Sequence, residues 1–342
     1  MNKIRVGIIG ASGYSGMELL KLLISHPNTQ VTIITSESNA GKRLSDINPF
    51  FANKIDLIFS KINYDEIKSK CDAIFFATPS GTAMMHAHHF YNSSVKIIDI
   101  SGDFRLSSNQ DYINWYKKEH NDPESLSKWT YGLSEVFQDE ISKCQYLSNP
   151  GCYPTSILLG LLPFMTLHIP DHPIICDSKS GVSGKGKKVS ADSLFIECNE
   201  NLLAYKIALH QHIPEIEKAI CSFTQKNVKI SFTPHLIPMD RGILSTIYIN
   251  LSDTSLCEHE IQDCYTNFYK DKPFVKVLKK DNLPQTKHVA HTNDCHIGLA
   301  LDKRNNILKI ISVIDNLVKG AAGSALQNFN LMFNLKETLG LI

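Results

Sequence analysis

An α/β chain of two domains follows from three observations on these 342 residues. Short apolar runs alternate with helical patterns over about the first 150 residues. A glycine-spaced loop, GIIGASGYSG, joins the first such run to the first helical pattern. Beyond Cys152 the strand candidates crowd together, with only two or three helices between them. The first pattern predicts a mostly parallel sheet with helices on both faces. The second predicts an α+β domain on a mixed or antiparallel sheet with one face covered. The boundaries are 1–150 for a Rossmann-like dinucleotide-binding domain and 151–315 for a catalytic and substrate domain. A C-terminal helix, 316–342, packs back on the first domain, its small residues permitting close backbone approach. The cleft between the domains is the expected site.

Composition narrows the function classes. A hydrophobic fraction of 43% with 20% charged residues is that of a globular protein. Lys and Arg total 35 against 34 Asp and Glu, so no field recruits nucleic acid or an anionic membrane. The nine cysteines are scattered with no CxxC pair, which argues against a disulfide framework or a metal site and for a reducing, cytoplasmic setting. The chain enters a strand-like run at once, with no leader-like segment and no stretch of about 20 apolar residues.

Taken in order, IRVGIIG, VTIIT, AIFFAT, KIIDIS and CQYLSN read as strands of the first domain. Gly16–Ser25 and Gly81–Tyr91 read as its helices. In the second domain PIICDSKSG, KISFTPHLI, ILSTIYINL, FVKVLK, CHIGLALD and ILKIISVID read as strands, and NLVKGAAGSALQNFNLMFNL as the closing helix.

Gly7, Gly10, Gly13 and Gly16 stand three apart between the first strand and helix. This variant of the dinucleotide fingerprint lets a backbone loop approach a pyrophosphate at a helix N-terminus. Ser12, Tyr14 and Ser15 complete that loop. After the second strand, Ser36, Lys42 and Arg43 suit the 2′-phosphate of NADP(H), whereas Glu37 suits the free ribose of NAD.

In SNPGCYPTS, Pro150 and Gly151 turn the chain so that Cys152 opens a helix, where the dipole favours a thiolate. A thiol beside a nicotinamide cofactor suggests a thioester that is then reduced to an aldehyde. His210 and His212 in HQHIPEIEKAI precede a Pro-initiated helix and can exchange the proton that this chemistry moves. Glu215 either orients an imidazole or complements the helix N-terminus. The segment Ser178–Lys188 brings Ser180, Gly181, Ser183, Gly184 and Gly186 after a strand, as a phosphate or nicotinamide cradle or as a polar turn. Arg105 and Arg241 are isolated cations suited to a carboxylate or phosphate, or to an ion pair.

The blocks GASGYSGMELL, IDISGDFRL, SNPGCYPTS, DSKSGVSGKGKK, AYKIALHQHIPEI, FTPHLIPMDRGILSTIY and IDNLVKGAAGSALQNFNLMF together resemble the N-acetyl-gamma-glutamyl-phosphate reductase family, type 1. That family is a relative of aspartate-semialdehyde dehydrogenase, and the likeness runs from about residue 3 to residue 334. It implies NADPH-dependent reduction of N-acetyl-glutamyl 5-phosphate to the semialdehyde, with release of phosphate, in arginine biosynthesis. It also implies a homodimer or homotetramer. By the resemblance, Cys152 is the nucleophile and His212 its acid–base partner, with His210 the second candidate. The cofactor set is Gly10, Ser12, Gly13, Tyr14, Ser15, Gly16, Ser36, Arg43, Ser180, Gly181 and Asn316, with Lys319 and Gly320 closing the nicotinamide wall. The substrate set is Arg105, Asn149, Ser183, Gly184 and Arg241, and no metal is expected.

The chain departs from the family pattern at Gly102 (usually Ala), Ser156 (Gly or Ala), Gln211 (often Arg) and His291 (commonly Gly). The rival readings are a reductase acting on aspartyl or aminoadipyl phosphate and, from another class, a non-catalytic NADP sensor.

Overall fold

The computed structural model describes residues 3–187, 194–251 and 254–342. Lys188, the end of the serine- and glycine-rich segment, lies outside the described residues. The chain divides into two compact units. One comprises the N-terminal segment through Ile113, Lys117–Pro150 and Ala321–Ile342; the other comprises Asn114–Tyr116 and Gly151–Gly320.

The first unit carries β1 (Ile4–Ile9), β2 (Thr29–Ile34), β3 (Ala73–Phe76), β4 (Lys96–Asp99), β5 (Thr130–Tyr131) and β6 (Tyr146–Ser148). They form a sheet of order β2-β1-β3-β4-β6-β5 in which every pairing is parallel. Its central strand β3 is apolar without alternation, as burial on both faces requires, and all four of its residues are buried. The helices are α1 (Tyr14–Ser25), α2 (Leu44–Ile47), α3 (Tyr64–Lys70), α4 (Ala83–His86), α5 (Asn109–Tyr116) and α6 (Gln138–Lys143).

The expected helix at Gly81–Tyr91 is instead the single turn α4 followed by a 3₁₀ turn, Ala87–Phe90. The backbone leaves helical geometry at His86, with φ −119° and ψ −23°.

The second unit carries α7 (Cys152–Met165), β7 (Ile174–Gly181), α8 (Phe195–Cys198), β8 (Leu203–Ala204), α9 (His212–Thr224), β9 (Ile230–Ile237), β10 (Ile243–Asn250), α10 (Glu258–Tyr269), β11 (Val275–Val277), β12 (Cys295–Asp302) and β13 (Ile307–Ile314). Its seven-stranded sheet runs β11-β12-β13-β10-β7-β9-β8. The pairs β11/β12 and β7/β9 are parallel and the others antiparallel, so the sheet is mixed, as expected. Burial alternates along β9 and β10, which marks one face as core.

That core face receives α7, which packs on β10 and β13 with α9 and α10 beside it. Gly160 lets α7 come close, because a Cβ there would sit 3.0 Å from Ile247 Cδ1. Pro163 inside α7 has no N–H for the carbonyl of Leu159. The Tyr269 hydroxyl of α10 donates to that carbonyl at 2.6 Å, and Tyr265 donates to Gly160 O at 2.6 Å. Ser156 joins a buried hydroxyl cluster with Ser245 (3.0 Å) and Ser312 (3.3 Å), which gives that departure from the family pattern a place in the packing.

The C-terminal run is not one uniform helix. Val318–Ala322 forms a π turn and α11 (Gly323–Met332) follows it. Ala325, Leu326 and Phe329 of α11 join the apolar core of the first unit. Asn328 keys that helix into place: its Nδ2 donates to Gly132 O (2.7 Å) and Asn149 Oδ1 (3.0 Å), and its Oδ1 accepts from Ser134 (2.7 Å). Among the described residues, no helix is long and apolar enough to cross a membrane.

Removing a side chain that satisfies three buried groups strands each of them. Asn328→Ala is expected to lower unfolding stability by about 2–4 kcal/mol, measured by urea denaturation, because each stranded group costs about 1–3 kcal/mol with partial relaxation. An unchanged midpoint would show that α11 docks by its apolar face alone.

Candidate active site

In the first unit, the loop between β1 and α1 is shaped to take a backbone-bound anion. Gly10 has φ +83°, and a Cβ on it would lie 2.7 Å from Ala77 O. A Cβ on Gly16 would lie 2.7 Å from Ala11 Cα, so the start of α1 presses directly on the loop. Gly13 is the N-cap of α1 and provides no side-chain cap, which leaves the first-turn amides for a ligand. Tyr14 and Ser15 open the helix. At the end of β2, Ser36 Oγ lies 2.9 Å from Ser12 Oγ, and Asn39 Nδ2 donates to Ser36 Oγ (3.4 Å) and Ser38 Oγ (3.3 Å). This glycine cradle and hydroxyl cluster fit a dinucleotide. Arg43, expected at the cofactor, donates instead to Asp56 at 2.7 Å in an exposed pair.

Two other expected ligand residues of this unit are built into its interior. Asn149 is fully buried; its Nδ2 donates to Ser324 Oγ (3.0 Å) while its Oδ1 accepts from Asn328. These bonds dock α11. Arg105 is also buried, donating from Nε to Asn149 O (2.8 Å) and from Nη2 to Ile100 O (2.9 Å). It ties the chain after β4 to the chain after β6, and these bonds place it as a positioning residue.

In the second unit Cys152 is the first residue of α7, after the extended N-cap Gly151. His212 is the first residue of α9. One carboxylate joins the two helix starts: Glu215, in the first turn of α9, accepts the Gly151 N–H at 2.8 Å and is buried. Gly320 completes the surroundings of the thiol, since a Cβ on it would lie 2.8 Å from Cys152 Cβ. Only glycine fits that approach, and the π turn brings it there.

The two histidines have different environments. His210 sits among Tyr153, Tyr205 and Phe232, with ring centroids at 5.7, 5.7 and 5.4 Å. Its Nδ1 accepts the His212 N–H at 3.1 Å, so that nitrogen carries no proton. Burial, helped by Lys206, pushes its pKa down to about 3. His210 is therefore a neutral acceptor that holds the first residue of α9. Tyr205 donates to the Tyr153 hydroxyl (3.2 Å), which donates to His235 O (3.1 Å).

The remaining expected residues form a second cluster. Asn316 accepts Gly242 N–H at Oδ1 (2.7 Å) and donates from Nδ2 to Ser183 Oγ (3.0 Å), so its amide braces the unit internally. Ser183 donates to Asp240 O (2.6 Å) and Ser180 to Gly181 O (3.0 Å). Gly181 packs on the Asp240 carbonyl, and Gly184 lies beside Ser180 and Asn316. Arg241 faces Asp315 at 3.5 Å. Asp315 in turn accepts the amides of His291, Leu317 and Val318. Sequence reasoning missed Lys218, a half-buried cation on α9 that burial pulls down to about 8 against the pull of Glu215. It also missed Tyr205, whose only sequence signal was its place just before the histidines.

Comparison with known proteins places this geometry. Residues 5–144 match the semialdehyde dehydrogenase NAD binding domain and residues 152–316 the semialdehyde dehydrogenase dimerisation domain. A protein of Halothermothrix orenii named N-acetyl-gamma-glutamyl-phosphate reductase is 47% identical over 99% of this chain and 98% of its own. One of the same name from Acinetobacter baylyi is 45% identical with equal coverage. The chain belongs to the N-acetyl-gamma-glutamyl-phosphate reductase family. Its fold is shared more widely. Aspartate semialdehyde dehydrogenase II of Vibrio cholerae superposes with a TM-score of 0.76 at 15% identity, over 97% of this chain and 99% of that one. Aspartate semialdehyde dehydrogenase with NADP from Candida albicans superposes with a TM-score of 0.69 at 15% identity, over 97% and 99%. Within this reductase family member, then, the thiol opens one helix, an imidazole opens another, and a buried carboxylate clamps the two starts.

Between pH 6.5 and about 3 the His210 ring binds fewer protons folded than unfolded. Its contribution to stability is complete above pH 6.5 and is lost as the solution is acidified through that window. His210→Gln, which keeps an acceptor for the His212 N–H, is expected to flatten this acid limb. Urea midpoints at pH 7 and pH 5 measure it; an equal loss in parent and variant would place the titrating group elsewhere.

Proposed function

We propose that this chain reduces N-acetyl-glutamyl 5-phosphate to N-acetyl-glutamate 5-semialdehyde with release of phosphate, using NADPH, in arginine biosynthesis. Family membership supports the substrate. The observation that carries the chemistry is Cys152 at the first residue of α7, its helix start clamped to that of His212 by Glu215.

The helix N-terminus favours the Cys152 thiolate, which attacks the acyl carbon. A C–S bond forms, the bond from carbon to the phosphate oxygen breaks, and phosphate departs with its electron pair. Reduction of the resulting thioester carbon is the chemistry that the dinucleotide supplies when bound. His212 holds the proton at the thiohemiacetal oxygen and withdraws it as the C–S bond breaks, which releases the aldehyde and restores the thiolate. His210 keeps α9 in place through the His212 N–H and takes no proton itself.

The preference for NADP rests on the hydroxyl and amide cluster of Ser12, Ser36, Ser38 and Asn39, which offers donors to a 2′-phosphate. Glu37, beside them, is the feature that favours NAD. Self-association through residues 152–316 follows from the match to a dimerisation domain. A reducing cytoplasmic setting agrees with nine cysteines that form no disulfide.

The test is phosphate-dependent reduction of NADP by N-acetyl-glutamate semialdehyde, with aspartate semialdehyde compared alongside. Strong preference for the acetylated substrate is expected, and the reverse preference would overturn the substrate. Cys152→Ser is expected to bind NADP as the parent does and to lose more than about 1,000-fold in kcat, the scale of removing a covalent nucleophile. Retained turnover would remove the thioester.

A further inference from the structure

The chain leaving β3, Ala77 to Thr82, forms one wall of the glycine loop. Ala77 N–H donates to Ile9 O at 2.8 Å, which carries the pairing of β1 with β3 up to that loop. A Cβ on Gly10 would lie 2.7 Å from both Ala77 O and Thr78 Cγ2. Turn and loop therefore touch, at the carboxyl ends of two neighbouring parallel strands, where doubly wound folds take their ligands. The Thr78 hydroxyl is buried in this wall with no hydrogen-bond partner. An unpaired buried hydroxyl is costly, and a cofactor oxygen at the loop would supply the missing partner.

The turn is gripped from the exit of the next strand, β4. Asp103 is fully buried, and its carboxylate accepts three donors. Oδ1 takes the Gly81 N–H (2.7 Å) and the Tyr112 hydroxyl (3.0 Å), and Oδ2 takes the Met84 N–H (3.1 Å). Gly81 and Met84 flank the step from the turn into α4, so one side chain holds both. Ser80 adds two bonds, from its Oγ to Ser101 O (2.9 Å) and from Lys118 Nζ to its carbonyl (2.8 Å). Asp103 is itself held. The Ser101 and Gly102 amides donate to the Asp99 carboxylate at 2.8 and 3.3 Å, and His120 Nε2 donates to Asp103 O at 2.9 Å. The other ring nitrogen of His120 accepts the Asp122 N–H at 3.0 Å, which fixes the same tautomer.

We propose that Asp103 is a positioning residue for the cofactor: it keeps the turn after β3 pressed on the glycine loop, and dinucleotide affinity depends on that grip. The inference rests on the reading of this loop as the cofactor site. Asp103 acts through the turn, since it is fully buried and its carboxylate is taken up by protein donors. Without the grip the turn samples positions away from the loop. Apparent affinity then falls by the fraction of chains that remain competent to bind. The nucleophile Cys152 belongs to the other unit, so a chain that has bound its cofactor keeps its turnover.

Asp103→Asn keeps the side-chain shape and sets an amide donor against N–H and O–H donors. NADPH affinity, read by titrating cofactor fluorescence, is expected to fall about tenfold, the scale of one lost buried hydrogen bond. KM for NADPH should rise likewise, while kcat at saturating NADPH stays within about twofold. Asn328→Ala, which costs stability in the same unit, is expected to bind NADPH as the parent does. Thr78→Val keeps the shape of the wall and removes its hydroxyl; it should weaken NADPH several-fold, and it decides the matter if Asp103→Asn does not fold. Parent affinity in a folded Asp103→Asn, or failing that in Thr78→Val, would overturn the inference. An equal loss of affinity in Asn328→Ala would also overturn it, by showing a general effect of stability. A lower kcat with KM unchanged would overturn the positioning role. A parent that binds neither NADPH nor NADH would overturn the cofactor reading, and this inference with it.

Discussion

The hydrogen bond from Gly151 N–H to the buried Glu215 carboxylate is the constraint that holds the starts of α7 and α9 together. Cys152 and His212 are 60 positions apart, and each is the first residue of its helix, where fraying begins. Apolar packing of α7 on the sheet positions the middle of that helix but is weakly directional at its end. A carboxylate acceptor at 2.8 Å, buried from competing water, gives the end a defined place. Because Glu215 is itself in the first turn of α9, the same bond fixes one helix start against the other.

A second constraint comes from the chain after β13. Asp315 accepts three backbone amides and faces Arg241, while Asn316 bonds Gly242 and Ser183. These contacts stop the strand and set the direction of the π turn that follows. Widening the helix over Val318–Ala322 brings Gly320 against Cys152 and leaves Lys319 buried near Phe274. The polar residues of this block thus set the backbone that follows β13, through bonds made to protein.

The fold was legible because it is written in periodicity. Non-alternating apolar runs marked the parallel sheet, and the alternation of ILSTIYINL marked a sheet with one covered face. The failures were local. Gly81–Tyr91 is composed like a helix yet yields two short turns, and nothing in its composition signals the change at His86. The helix start at Cys152 was legible because a Pro-Gly turn announces it, whereas α9 begins at His212, two residues before the Pro214 expected to open it. The protein partners of Asn149, Arg105 and Asn316 were not legible for one physical reason: a polar residue in a motif reads the same whether its partner is ligand or main chain. The departures from the family pattern carry structural sense. His291 has φ 62°, a left-handed position of the kind where glycine is at ease. Gln211 accepts from Lys206 at 3.0 Å, on the exposed side of the turn that holds the histidines.

His210 and His212 show how environment assigns different work to neighbouring residues of one type. An imidazole in an aromatic box loses its charged form, because burial penalises the cation more than any nearby group rewards it. What remains is a rigid acceptor, and its Nδ1 serves the backbone of His212. Acid–base chemistry needs the opposite, a ring whose charge can change as a proton passes. His210 is placed so that it cannot do this over the physiological range, and that incapacity is useful: a neighbour that titrated would release the His212 N–H each time it took up a proton. His212 is thus held by a group whose own protonation stays constant over that range.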